Sequence, residues 1–236
     1  QLGKEDERDL FPAALRFVEA MRPSAVMIEN VKGFLSPIFE SYRSQIVRHF
    51  RDLGYSVDWR LFYASDFGVP QLRPRVVIVA ISDSMAGEFD WPEPRMSAPP
   101  SVGDELYGLM SEGGWRQAKA WRRGAQGIAP TLVGGSKKHG GPDLGPTRAK
   151  KAWAELGVNA HSIAESPPEP EFKGMPRLTV RMAARIQGFP DEWQFYGKKT
   201  AAYRQVGNAF PPPVAHAVAL RLAELLRAGV AVKHAV

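Results

Sequence analysis

Two unbroken apolar runs of strand length constrain this chain most. They are AVMI, from Ala25 to Ile28, and the apolar centre of RVVIVAIS, residues 75–82. Both read as strands buried in a sheet, and segments of helical spacing accompany them. DLFPAALRFVEAMRPS places Leu10, Ala14, Phe17, Val18 and Met21 on one face of a helix that Pro23 ends. PIFESYRSQIVRHFRDLG repeats that spacing through Ile38, Tyr42, Ile46 and Phe50, with Gly54 as its C-cap. YSVDWRLFYA alternates like a strand. Residues 8 to 82 therefore read helix–strand–helix–strand–strand, an α/β arrangement. The short link SDFGVPQLRP predicts an antiparallel pair at a sheet edge.

From residue 83 the character changes. DWPEPRMSAPPSV is a proline-rich connector and GGSKKHGGPDLGP a glycine-rich basic loop, so residues 83–175 read as a separate, small, irregular and mostly β domain. Regular organisation returns over residues 176–236. Thr179 can cap a helix in LTVRMAARIQGF that Gly188 and Pro190 end. PPPVAHAVALRLAELLRAG is a last helix with Val214, Val218, Leu222 and Leu225 on its apolar face and Gly229 as its stop. No internal repeat is visible.

Composition narrows the function classes. A net charge of +6 favours a polyanionic partner such as nucleic acid. The absence of cysteine excludes disulfides, thiolate–metal sites and thiol catalysis by these residues. His49, His139, His161, His216 and His234 are scattered without metal-ligand spacing, so no metal is expected. No apolar run approaches the roughly 20 residues of a membrane span. The opening at Gln1, without an initiating methionine, suggests part of something longer.

Four blocks carry the chemistry: ENV (29–31) at a strand tip, QLRPR (71–75) before a strand, RLTVRMAARIQGFPDEW (177–193), and QVGNAFPPPVA (205–215) leading into the last helix. In this order, with DERDLF (6–11) ahead of them, they resemble the cytosine-C5 DNA methyltransferase family. The resemblance implies part of a class I, Rossmann-like α/β domain using S-adenosylmethionine. Residues 83–175 would form its target-recognition domain on duplex DNA.

That chemistry explains why a core strand should end in a carboxylate. Cytosine C5 becomes nucleophilic once a thiolate adds to C6, which is easy only if the charge developing at N3 meets an acid. A carboxyl on a rigid strand end, shielded so that its pKa rises, suits that task. By resemblance Glu29 is the acid, Asn30 fixes the turn after the strand, Arg75 holds the base O2, and Arg73 supports the site from the same side. Guanidinium forks match planar acceptors of this kind. Resemblance also assigns Asn208, Ala209 and Leu10 to the S-adenosylmethionine pocket, and lets Arg177, Thr179 and Arg181 touch phosphate. Ala184, Ile186, Phe189 and Trp193 read as packing residues. For DNA contact the candidates are Thr131, Leu132, Gly134, Gly135, Lys137 and Lys138 in APTLVGGSKKHGG, with Arg122 and Arg123 in WRRGAQG. Such enzymes turn the target base out of the duplex.

Two family parts have no counterpart in these residues: the glycine-rich cofactor turn and the Pro-Cys nucleophile. The resemblance then implies an upstream portion or complementary subunit that brings the cysteine. It also implies a bacterial, cytoplasmic, nucleoid-associated enzyme of the restriction-modification kind. Two alternatives stand beside it: a non-catalytic DNA-binding or regulatory relative, and a tRNA cytosine methyltransferase.

Overall fold

The computed structural model describes residues 9–85, 87–95, 97–134 and 142–233, with side chains as far as residue 228. They fall into two compact units. Unit 1 gathers Gln1–Phe62, Pro74–Glu93 and His216–Val236, and unit 2 gathers Tyr63–Arg73 and Pro94–Ala215. These boundaries differ from the three consecutive segments read from sequence: residues 176–215 pack with the middle region.

In unit 1, helix α1 (Phe11–Met21) leads into strand β1 (Ala25–Val31), and helix α2 (Glu40–Asp52) into strand β2 (Tyr55–Tyr63), followed by β3 (Pro74–Ser82). The sheet order is β1-β3-β2, with β1 antiparallel to β3. β3 earns the centre by composition, being buried from Val76 through Ile81. Its Val76, Ile78 and Ala80 form one cluster with Phe11, Leu15 and Val18 of α1 and Ile46 and Phe50 of α2. Burying Phe50 completely contributes about 1.5–3 kcal/mol. The α1 start is fixed by Asp9, whose Oδ1 accepts from the Phe11 N–H at 3.0 Å. Arg22, in the left-handed region at φ 46°, closes its end. After β1 the chain makes two short 3-10 turns. Arg43 ties them down, its Nη1 donating to the carbonyls of Phe34 at 2.5 Å and Ser36 at 2.9 Å. β1 lies at the sheet edge, where Met27 and Val31 are exposed.

Unit 2 corrects the expectation of a mostly β middle domain. Residues 83–175 hold helices α3 (Val102–Ser111), α4 (Ala118–Gly124) and α5 (Thr147–Glu155), with no strand element among the described residues. An isolated bridge pairs Ala129 with Gln71. The helical signal is present in sequence. Ser101 caps α3, its Oγ accepting from the Asp104 N–H at 3.0 Å, and Val102, Leu106, Leu109 and Met110 recur at helical spacing. Proline and glycine density masks it. The core continues through Trp121, Leu132, Trp153 and Ile163 into helices α6 (Val180–Ile186) and α7 (Lys199–Asn208).

Thr179 caps α6 by accepting from the Met182 N–H at 3.2 Å. Gly188 follows at φ +86°, where a Cβ would meet the ring of Pro213. Helix α8 (Pro212–Lys233) buries Val214, Val218, Leu222 and Leu225 and runs past Gly229, which therefore is not its stop. Helix α7 was unforeseen, and it moves Asn208 from the mouth of the last helix to the final residue of the preceding one.

Candidate functional site

Sheet register decides what meets at the tip of β1. Alternation puts Glu29 and Arg75 on the face opposite the α1–α2 cluster. Glu29 pairs with Val77, and Arg75 with Val31, so the two charged residues are diagonal neighbours, a gap that long side chains span. The Arg75 Nε stands 2.5 Å from Glu29 Oε1, and Arg75 Nη1 donates to the Pro74 carbonyl at 2.8 Å. The pair is largely withdrawn from water, with side-chain exposures of 12% for Arg75 and 30% for Glu29. Burial pushes the Arg75 guanidinium pKa down, and the Glu29 charge opposes that fall. Asn30 Oδ1 accepts from the Val31 N–H at 2.8 Å and shapes the exit from the strand. A carboxyl and a guanidinium held side by side can present an oxygen and an N–H donor to a single planar ligand edge.

A second constellation lies within unit 2. Arg73, 1% exposed, donates from Nη1 to the Leu132 carbonyl at 2.5 Å and from Nη2 to the carbonyls of Gly207 and Ala209, both at 2.8 Å. Gln71 and Gln187 are completely buried beside it. The Leu132 N–H donates to Gln71 Oε1 at 2.7 Å, and Gln71 Nε2 donates to Gln187 Oε1 at 2.5 Å and to the Ile186 carbonyl at 3.2 Å. Gln187 Nε2 in turn donates to the carbonyls of Val206 at 2.9 Å and Ala209 at 3.1 Å. The chain around Leu132 and the turn after α7 thus share one buried polar network. Their backbones also touch: a Cβ on Gly207 would fall 2.6 Å from the N and Cα of Gly134.

That contact yields a prediction. Alanine at position 207 would gain roughly 1 kcal/mol of helix propensity, but overpacking costs about 1–3 kcal/mol, and the obstacle is backbone. Gly207→Ala should lower the thermal midpoint, measured by circular dichroism; an unchanged or raised midpoint would show that the approach is looser than described.

The sequence-predicted residues separate accordingly. Glu29 and Arg75 come together in unit 1, whereas Arg73 binds carbonyls in unit 2. Leu10 is 73% exposed at the start of α1. Asn208 is exposed at the end of α7, and the Ala209 carbonyl is held by Arg73 and Gln187. Thr131 donates from Oγ1 to the Leu72 carbonyl at 2.5 Å, and Gly134 lies against Asn208. The Leu132 side chain is fully buried, so only the local backbone can serve a ligand there. Gly135, Lys137 and Lys138 lie outside the described residues. Arg122 pairs with Asp104 at 2.8 Å and stacks over Tyr107, while Arg123 is exposed. Arg177 is exposed, the Thr179 hydroxyl is used as a helix cap, and Arg181 pairs with Glu112 at 3.1 Å and with Asp191 at 3.4 Å. Ala184 and Ile186 are buried and Phe189 half-buried, but Trp193 is 57% exposed. The roles of Gln71 and Gln187 emerge only from the structure. The available signal was an amide set among apolar neighbours in QLRPR and ARIQGF.

The family model for C-5 cytosine-specific DNA methylase matches residues 1–224. The chain belongs to that family. Among curated relatives, it is 56% identical over 225 residues to Type II methyltransferase M.NaeI of Lentzea aerocolonigenes, a match covering 94% of this chain and 54% of that protein. It is 51% identical over 230 residues to Type II methyltransferase M.NgoMIV of Neisseria gonorrhoeae, covering 96% and 73% respectively. The chain therefore spans about half of the first relative and three quarters of the second. The class I α/β fold is shared with solved methyltransferases. One is a DNA modification methyltransferase encoded within an E. coli prophage, with TM-score 0.60 and 22% identity over 96% of this chain and 77% of that one. Another is the S. pombe Dnmt2 methyltransferase, with TM-score 0.52 and 17% identity over 90% and 70%.

Proposed function

We propose that this chain supplies the base-holding and DNA-reading part of an enzyme that methylates cytosine C5 in a specific duplex sequence with S-adenosylmethionine. The observation that carries the reading is the Glu29–Arg75 pair at the tip of β1. Cytosine presents N3 and O2 side by side, and a neighbouring carboxyl and guanidinium complement that edge. Glu29 delivers a proton to N3 as a thiolate from outside these residues adds to C6. Arg75 donates to O2 and keeps the carboxyl aimed. When C5 has taken its methyl group and lost its proton, the thiolate leaves and N3 returns the proton to Glu29.

S-adenosylmethionine supplies the methyl group. Within unit 2, Asn208 offers it an exposed carboxamide beside a backbone turn held by Arg73 and Gln187; within unit 1, Leu10 is an exposed apolar side chain. Arg123 is exposed for the duplex, Thr131 and Gly134 are half-buried with the Thr131 hydroxyl bonded to the Leu72 carbonyl, and Arg122 is partly committed to Asp104. Turning the base out of the stack gives Glu29 and Arg75 access to it. The missing nucleophile belongs to an upstream portion or companion subunit, for which the open edge of β1 is the natural seat. The family description names DNA, which supports duplex DNA as substrate, and the Type II designation of the bacterial relatives suits a restriction-modification enzyme working in the cytoplasm; no described helix is long and apolar enough to cross a membrane.

The test joins this chain to a cysteine-bearing upstream portion and supplies methyl-labelled S-adenosylmethionine with duplex DNA or tRNA. Label at cytosine C5 of the duplex is expected. Label only in tRNA, or in neither substrate, would overturn the reading.

A further inference from the structure

The buried amides of Gln71 and Gln187 belong to no catalytic step described above, yet both are completely enclosed and every amide atom is used. Their hydrogen bonds run in one direction. The Leu132 N–H donates to Gln71, Gln71 donates to Gln187, and Gln187 donates to the carbonyls of Val206 and Ala209. Turning either amide over would set donor against donor or acceptor against acceptor, so the two orientations lock each other. At one end is the backbone that carries Thr131 and Gly134, and at the other the turn that carries Asn208 and Ala209. Gly134 and Gly207 pack without room for a Cβ, so the two segments are in direct backbone contact.

We infer that Gln71 and Gln187 are positioning residues that couple the DNA-facing segment at 131–134 to the cofactor-facing turn at 207–209. This rests on the function proposed above. A duplex that fixes the first segment also fixes the second, and by linkage the cofactor returns the same factor to DNA affinity.

The experiment uses the chain joined to its upstream portion, with S-adenosylhomocysteine and a cognate duplex as probes. The duplex Kd is measured with and without S-adenosylhomocysteine by fluorescence anisotropy. The unmodified protein should bind the duplex at least about fivefold more tightly when S-adenosylhomocysteine is present, the lower end of ordinary coupling. Gln187→Met preserves side-chain length but removes the amide. It should reduce that factor below about twofold, while the affinity for each probe alone changes much less, a split that general loosening of the fold would not produce. Gln71→Met is the second variant, read in the same way if Gln187→Met does not fold. Full coupling retained in a folded variant would overturn the inference. So would an unmodified protein that binds both probes without coupling, a result that leaves the proposed function standing. An unmodified protein that binds neither probe fails at the earlier step and removes both.

Discussion

Changing Glu29 to Gln should lower methyl transfer by about 10²–10⁴-fold, the range that a positioned acid contributes, while leaving duplex affinity within a few-fold of the original. Gln is nearly isosteric and can still accept from Arg75, but it cannot give a proton to N3. Fold stability should fall by only roughly 1 kcal/mol, because the carboxyl is partly open to solvent and partly exposed ion pairs contribute little. Single-turnover rates and duplex binding, measured on the same preparation, separate these effects. A variant with undiminished turnover would remove Glu29 from the chemistry. One that no longer bound DNA would recast it as a structural group.

Arg73 should fail in the opposite manner. Its guanidinium carries hydrogen bonds to the carbonyls of Leu132, Gly207 and Ala209, deep within unit 2. Bonds to a charged donor contribute about 1.5–3 kcal/mol each, and a buried acceptor left without a partner bears its desolvation cost. Ala209 keeps Gln187 as a second donor, so its loss is smaller. Arg73→Ala should therefore cost about 3–5 kcal/mol in urea unfolding, a large fraction of the 5–15 kcal/mol that a domain usually has. Arg73→Lys should recover only part of this, since one ammonium group cannot reproduce the planar fork. A loss below about 1 kcal/mol in Arg73→Ala would contradict the role assigned to the network.

These two arginines show how far sequence reasoning reached. Their spacing about Pro74 suggested two side chains serving one site from one side. Arg75 stands on β3 and meets Glu29 because strand alternation and register, both periodic, bring them to the same face. Arg73 precedes the strand and answers to carbonyls up to 136 residues away in sequence, which no local pattern encodes. The same contrast holds for the fold. The α/β rhythm of residues 8–82 was legible because each element announces itself by apolar spacing and a Gly or Pro boundary. In 83–175, Ser101 with Asp104 three residues later is a readable helix start, but the surrounding proline and glycine obscure it. Helix α7 is hard to read in sequence because its buried apolar residues, Ala202, Tyr203 and Val206, are few and lie just ahead of the prolines at 211–213. The amide relay of Gln71 and Gln187 depends on tertiary pairing, so in sequence it appears only as two polar residues in apolar company.

The most direct test is the position of the target base in a complex of the cysteine-bearing enzyme with its cognate duplex. The account predicts a cytosine out of the stack, its N3 within hydrogen-bond reach of the Glu29 carboxyl, about 2.6–3.2 Å, and its O2 facing Arg75. A base bound with a different edge toward Glu29, or held elsewhere while the Glu29–Arg75 pair stays closed on itself, would contradict it.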